Sequence, residues 1–308
     1  MPTPETAFDA QQHNFNPDVI RIKGIRRITF EIIDKKDFEI AVDKSLTEVY
    51  EFNADGYLSR YYYTTIIKTL DRQIAAGRNR SNRTHEYLYD TISTTYFYSG
   101  KNMILKRYHD GLNYYESHYY RYDAAGNLTK ELRFKETNNS PDHALFILGN
   151  QVQLSEDSFQ YKKFSSGQVK CVFLNNENRP YKERISNMDS LGRPVTVNEN
   201  YTAASWIMQE SKFEYNGNRL VMARFEGNAG DRIVLKNIYE YDEHNELYSE
   251  KQYKNDVLLK EISYVSDRAT NLLNSFIIRD PNAKTMRIVR LKYDLDTVGR
   301  SSSEIRHD

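Results

Sequence analysis

A single cysteine, Cys171, stands in a chain of 308 residues, so no internal disulfide and no cysteine-built zinc cluster can form. It alternates with Val169 and Phe173, which reads as a small buried residue of a strand. No run of about 18 apolar residues is present to cross a bilayer as a helix, so no transmembrane segment is expected. The opening Met1-Pro2-Thr3-Pro4-Glu5-Thr6 carries neither a basic nor an apolar stretch of the kind that directs export. An excess of one charge is lacking too, since Lys+Arg and Asp+Glu both number 43. That balance gives no general attraction for nucleic acid or an anionic membrane. Enzyme signatures are missing as well: no Gly-x-Ser-x-Gly elbow, no phosphate-cradling glycine loop, no His-Glu-x-x-His. His109 and His118 flank a short hairpin with Glu116, but isolated strand histidines are ordinarily surface residues. No catalysis, no metal and no cofactor are expected.

Apolar residues make up only 39% of the chain, below the usual 45–50% or so. Disorder does not account for this, because 25 tyrosines, 14 phenylalanines and one tryptophan are present and disordered segments are poor in aromatics. The tyrosines recur in a pattern. Tyr50-Glu-Phe52-Asn-Ala-Asp-Gly56 aligns with Tyr120-Arg-Tyr122-Asp-Ala-Ala-Gly126-Asn-Leu128, with Phe213-Glu-Tyr215, with Tyr239-Glu-Tyr241-Asp-Glu-His-Asn-Glu-Leu247 and with Leu291-Lys-Tyr293-Asp. In Tyr-x-Tyr the rings lie two apart and share one face of a strand. The following Asp bonds its own backbone ahead, and a glycine three residues later accepts positive φ. Asp123 with Gly126, and Asp189 with Gly192, therefore read as hairpin turns. The return strand after Gly126 alternates, with Leu128, Leu132 and Phe134 expected on one side and Thr129, Glu131 and Arg133 on the other.

These motifs resemble the YD-repeat, or Rhs-type, family of bacterial secreted and cell-surface proteins, with matches scattered over residues 49–300. The resemblance implies long antiparallel sheets that curl or spiral, sometimes into shells around a toxin, and a place in the cell envelope or outside the cell. This chain is far shorter than such shells. The expected fold is all-β: repeated antiparallel hairpins in one extended, curled meander sheet, an open barrel or trough. Residues 1–18 read as a flexible tail and 19–308 as a single domain with excursions near 64–84 and 136–158. The first could continue a strand or form a short helix before a loop; the second packs over one end of the sheet. The expected role is non-catalytic binding or scaffolding, with a tyrosine-rich surface offered to a glycan or protein partner. A partial shell or cradle for a partner polypeptide is the alternative, and a glycan-active hydrolase a remoter one. Tyr120, Tyr122, Tyr215, Tyr241 and Tyr293 are the candidate binding residues, on a common inner face, together with the basic run Arg78, Arg80 and Arg83.

Overall fold

The computed structural model describes residues 2–8, 15–74, 82–110, 114–142 and 145–296. The first strands are β1 (Ile25–Lys36), β2 (Val42–Phe52), β3 (Leu58–Ile74), β4 (Asn82–Ser99), β5 (Asn102–His109) and β6 (Tyr115–Tyr122). Then come β7 (Leu128–Asn138), β8 (Leu148–Lys163), β9 (Gln168–Leu174), β10 (Pro180–Met188), β11 (Pro194–Tyr201) and β12 (Ala204–Asn216). The last are β13 (Arg219–Gly227), β14 (Ile233–Tyr241), β15 (Leu247–Lys254), β16 (Val257–Asp267), β17 (Leu272–Asp280) and β18 (Thr285–Leu295). One short helix, α1 (Pro17–Ile22), precedes them; the Asn16 side chain caps it by accepting from the Asp18 and Val19 N–H groups.

Each strand pairs antiparallel with its neighbours in sequence, and β18 pairs back onto β1. Ile28 thus lies between Tyr50 of β2 and Tyr293 of β18. The sheet is a closed barrel of eighteen strands, and the open barrel or trough expected from the sequence is corrected accordingly. The cause lies in β1. Its alternating Ile28, Phe30 and Ile32 are all buried, and the Phe30 ring meets Tyr50 at 4.8 Å and Phe276 of β17 at 5.6 Å. Closure also pairs the two rows of backbone groups that an open sheet leaves bare at its edges.

The turns of the clearest repeat copies follow even-numbered strands and so fall at one end of the barrel. Asn53, Asp123, Asp189 and Asp242 open four of these turns, each side chain accepting from the N–H groups two and four residues ahead at 2.9–3.1 Å. Three residues on, Gly56, Gly126, Gly192 and Asn245 all have positive φ. The register shifts by one residue just before each turn. This bulge redistributes the β7 side chains: Leu128 opposes Tyr122, whereas Leu132 and Phe134 oppose Tyr119 and Ser117 on the other face. The expected grouping of Leu128, Leu132 and Phe134 on one side is therefore corrected. A Cβ on Gly126 would meet nothing within 4 Å, and its φ is +81°. Gly126→Val is accordingly expected to lose about 1 kcal/mol or more through backbone strain alone. A urea midpoint unchanged from the parent would remove that explanation.

Two apolar clusters lie on the tyrosine-bearing face. The larger gathers residues of β16–β18 and β1–β3, with Ile20 buried in it and Phe15 packed against it; the smaller gathers Phe213, Leu220, Ala223 and Tyr239 around Ala7, with Phe8 packed against them. Ala7, Phe8 and Phe15 are thus packed against the sheet. The two rings meet different parts of that face: Phe8 contacts β13 and Phe15 contacts β2.

The first excursion is mostly strand. Thr64–Ile74 and Asn82–Ile92 continue β3 and β4 as a two-stranded ribbon beyond their pairing with β2 and β5, so the short helix considered for 66–74 does not form. Arg78 and Arg80 lie outside the described residues, and Arg83 is placed only by its backbone, opposite Gln73. In the second excursion β7 runs on to Asn138 and β8 starts at Leu148. From the segment between them Phe146 covers Arg107 and meets Tyr115, on the face opposite the tyrosines.

Candidate functional site

The five tyrosines singled out by sequence are all partly buried. Four of them follow one rule. The Tyr122 hydroxyl donates to the Met103 carbonyl, Tyr215 to Pro194, Tyr241 to Leu220 and Tyr293 to Leu273, at 2.6–2.9 Å. Each bond ties a strand to the start of the strand before it, so the second tyrosine of the motif fastens one hairpin to the next. Burial pushes Tyr241 and Tyr293 up to about 12. Tyr241→Phe is expected to lose about 0.5–1.5 kcal/mol, the net worth of one such bond, measured by urea unfolding. Tyr120 differs: it opposes Glu131 across β6 and β7, and its ring stacks beside His118.

Next to Tyr120 the tyrosine-bearing face becomes polar. His118 sits between two carboxylates, with Nδ1 2.7 Å from Glu131 and Nε2 3.1 Å from Glu116, and Arg133 donates to Glu116 at 2.7 Å. That last bond leads the causes holding Glu116 below the usual carboxylate range. His109 is on the opposite face, stacked on Tyr115 at 4.3 Å, so the two histidines do not converge. Among the described residues no group of side chains suited to hold a metal ion is found.

Further round the ring, β7–β10 enclose a hollow of about 400 Å³ lined by Phe159, Tyr161, Phe173 and Tyr181 together with Glu131 and Arg184. Arg184 donates to Glu199 of β11 at 2.6 Å. Burial, followed by a hydrogen bond to Asp157, raises Tyr181. Cys171 lies on the wall of this hollow, buried as its alternation with Val169 and Phe173 suggested, and burial pushes its thiol up. Sequence reasoning did not single out Asn237, which is buried in the middle of β14 and bonds the Ala7 carbonyl. It likewise missed the group Arg107, Ser117 and Glu136 on the opposite face, all buried. These residues belong to different hairpins, and no local spacing marks them.

No family model and no curated protein sequence matches the chain. Among solved structures it is similar to a porin-like protein from Bacteroides uniformis, at 12% identity and TM-score 0.39, covering 88% of this chain and 97% of that one. It is also similar to TcdB2-TccC3 without its hypervariable C-terminal region, at 12% identity and TM-score 0.28, covering 80% of this chain and 12% of that one. A third likeness is to the Photorhabdus luminescens Tc holotoxin pore, at 8% identity and TM-score 0.20, covering 86% of this chain and 22% of that one.

Proposed function

We propose that this chain is a non-catalytic hollow cradle that holds a length of partner polypeptide against its tyrosine-lined interior. The pairing of β18 with β1 carries this reading. It closes the sheet into a ring, and the reading takes the tyrosine-bearing face as its inside; a ring of this strand number encloses more space than its own side chains fill. Rings for side chains and polar groups for the main chain suit a peptide occupant. The outer face carries ion pairs along its strands, such as Arg27–Glu51, Arg224–Glu226 and Lys251–Glu240. A lipid-facing belt would instead be apolar, so the reading places the outside of the barrel in water, in a secreted or envelope setting as the repeat resemblance implies. A glycan is the second reading, favoured by the hollow with four aromatic walls beside Glu131 and Arg184.

Limited proteolysis of an unfolded, carboxymethylated test protein tests the cradle. The expected result is a stretch protected from protease by the barrel. Tyr120→Arg, inside, should abolish that protection, and Lys212→Glu, outside, should leave it intact. A test protein digested equally fast at every ratio would sink the reading; binding of linear oligosaccharides in its place would favour the glycan.

A further inference from the structure

We infer that Phe213, Ala223, Phe225, Asn237 and Tyr239 form a peptide-binding site for a segment carrying a small residue followed by an aromatic one, and that the chain's own Ala7-Phe8 fills it as an internal competitor. The inference rests on the cradle reading and names one place where an occupant is gripped. Ala7 is 4% exposed and sits in the cluster with Ala223, itself 0% exposed. The Ala7 carbonyl accepts from the Asn237 side-chain amide and from the Tyr239 hydroxyl. The Phe8 ring then packs against Phe213 at 6.5 Å and Phe225 at 5.9 Å.

Asn237 makes the case for recognition. An amide side chain on the buried face of a mid-strand position is costly unless something accepts its hydrogen bonds, and here the acceptor is a main-chain carbonyl, a group every polypeptide offers. Specificity then falls to the two side chains, small over Ala223 and aromatic between Phe213 and Phe225. Residues 2–8 form no strand of the sheet, so the grip is local: one carbonyl, one small side chain and one ring. A partner segment of the same pattern can compete for it, its apparent affinity reduced by the fraction of time the internal segment is seated.

The test uses full-length protein and a fluorescent peptide of residues Pro2–Phe8, followed by anisotropy. A double variant, Ala7→Arg with Phe8→Ala, should unseat the internal segment and bind the peptide at least about tenfold more tightly than the parent chain. Adding Asn237→Ala, or separately Ala223→Val, should take that gain away. Circular dichroism confirms that each variant keeps its strands, and Tyr239→Phe replaces Asn237→Ala should the latter fail to fold. Equal affinity for parent and double variant, or a gain that survives both site variants, would overturn the inference. Protease protection of an unrelated polypeptide with no peptide binding here would overturn this site and leave the cradle standing.

Discussion

Glu136→Ala is expected to destabilise the protein by about 3–5 kcal/mol, the loss found when one member of a buried ion pair is removed. Glu136 is 0% exposed and lies 3.2 Å from the Arg107 Nε, with Arg107 itself 9% exposed. Ser117, Tyr119 and Gln151 also donate to the carboxylate, at 2.5, 2.7 and 2.8 Å. Phe146 closes the group from outside, its ring centre 3.6 Å from the Arg107 guanidinium. Alanine would leave an unneutralised guanidinium under that ring and three donors without an acceptor. Arg107→Met combined with Glu136→Met should lose less than Glu136→Ala alone, because no buried charge is then left unpaired. Burial works to raise the Glu136 carboxyl, but the bonds from Ser117, Tyr119 and Gln151 and the Arg107 charge outweigh it and hold the group below its ordinary value. Folding therefore lowers the proton affinity here. The stabilisation is complete above the unfolded carboxyl range near about 4.3 and is lost as pH falls through the lower folded value. Urea midpoints taken down from pH 6 should fall more steeply for the parent than for Glu136→Gln. Parallel curves would show that Glu136 contributes nothing to the acid dependence.

What was legible in the sequence is what the chain decides locally. Asp123 and Gly126 are three residues apart and build one turn between them, so their chemistry can be read without knowing the rest of the fold. The sharing of one face by Tyr120 and Tyr122 follows likewise from the two-residue period of a strand. Closure was not legible, because it depends on β1 meeting β18 from the far end of the chain, and alternation in Ile28-Thr-Phe30-Glu-Ile32 is the same in an edge strand as in a paired one. The parity of His109 and His118 depended on the register of the intervening hairpin, which pairs His118 with Lys106 and His109 with Tyr115. The bulge after Tyr122 had the same effect on Leu132 and Phe134, moving them to the face opposite Leu128 by one extra residue. Loop composition suggested mobility for the first residues, yet Ala7 and Phe8 find partners more than 200 positions away.

Gly56→Ala should be the most damaging single-methyl change in the repeat turns, at about 3 kcal/mol or more, and its comparison with Gly126→Ala isolates the reason. Both glycines hold the same place in equivalent turns, with φ of +86° and +81°, so both substitutions carry the left-handed strain of about 1–2 kcal/mol. Their surroundings differ. A Cβ at Gly126 points into open space, whereas at Gly56 it would lie 2.1 Å from the Pro17 carbonyl oxygen, 2.9 Å from the Pro17 carbonyl carbon and 3.1 Å from the Arg21 nitrogen. All three are backbone atoms of α1, so no side chain can turn aside to make room, and the helix must lift off the turn. Lifting it exposes Ile20, which is 4% exposed in the native chain, and such a side chain contributes about 1.5–3 kcal/mol by its burial. It also draws Phe15 away from Tyr50 and Phe52, whose rings it meets at 4.8 and 5.1 Å. Two measurements follow. The urea midpoint should fall further for Gly56→Ala than for Gly126→Ala, and amide exchange in Ile20–Lys23 should rise towards unstructured rates in the first variant alone. If the two variants unfold together within about 0.5 kcal/mol, α1 is not seated on this turn.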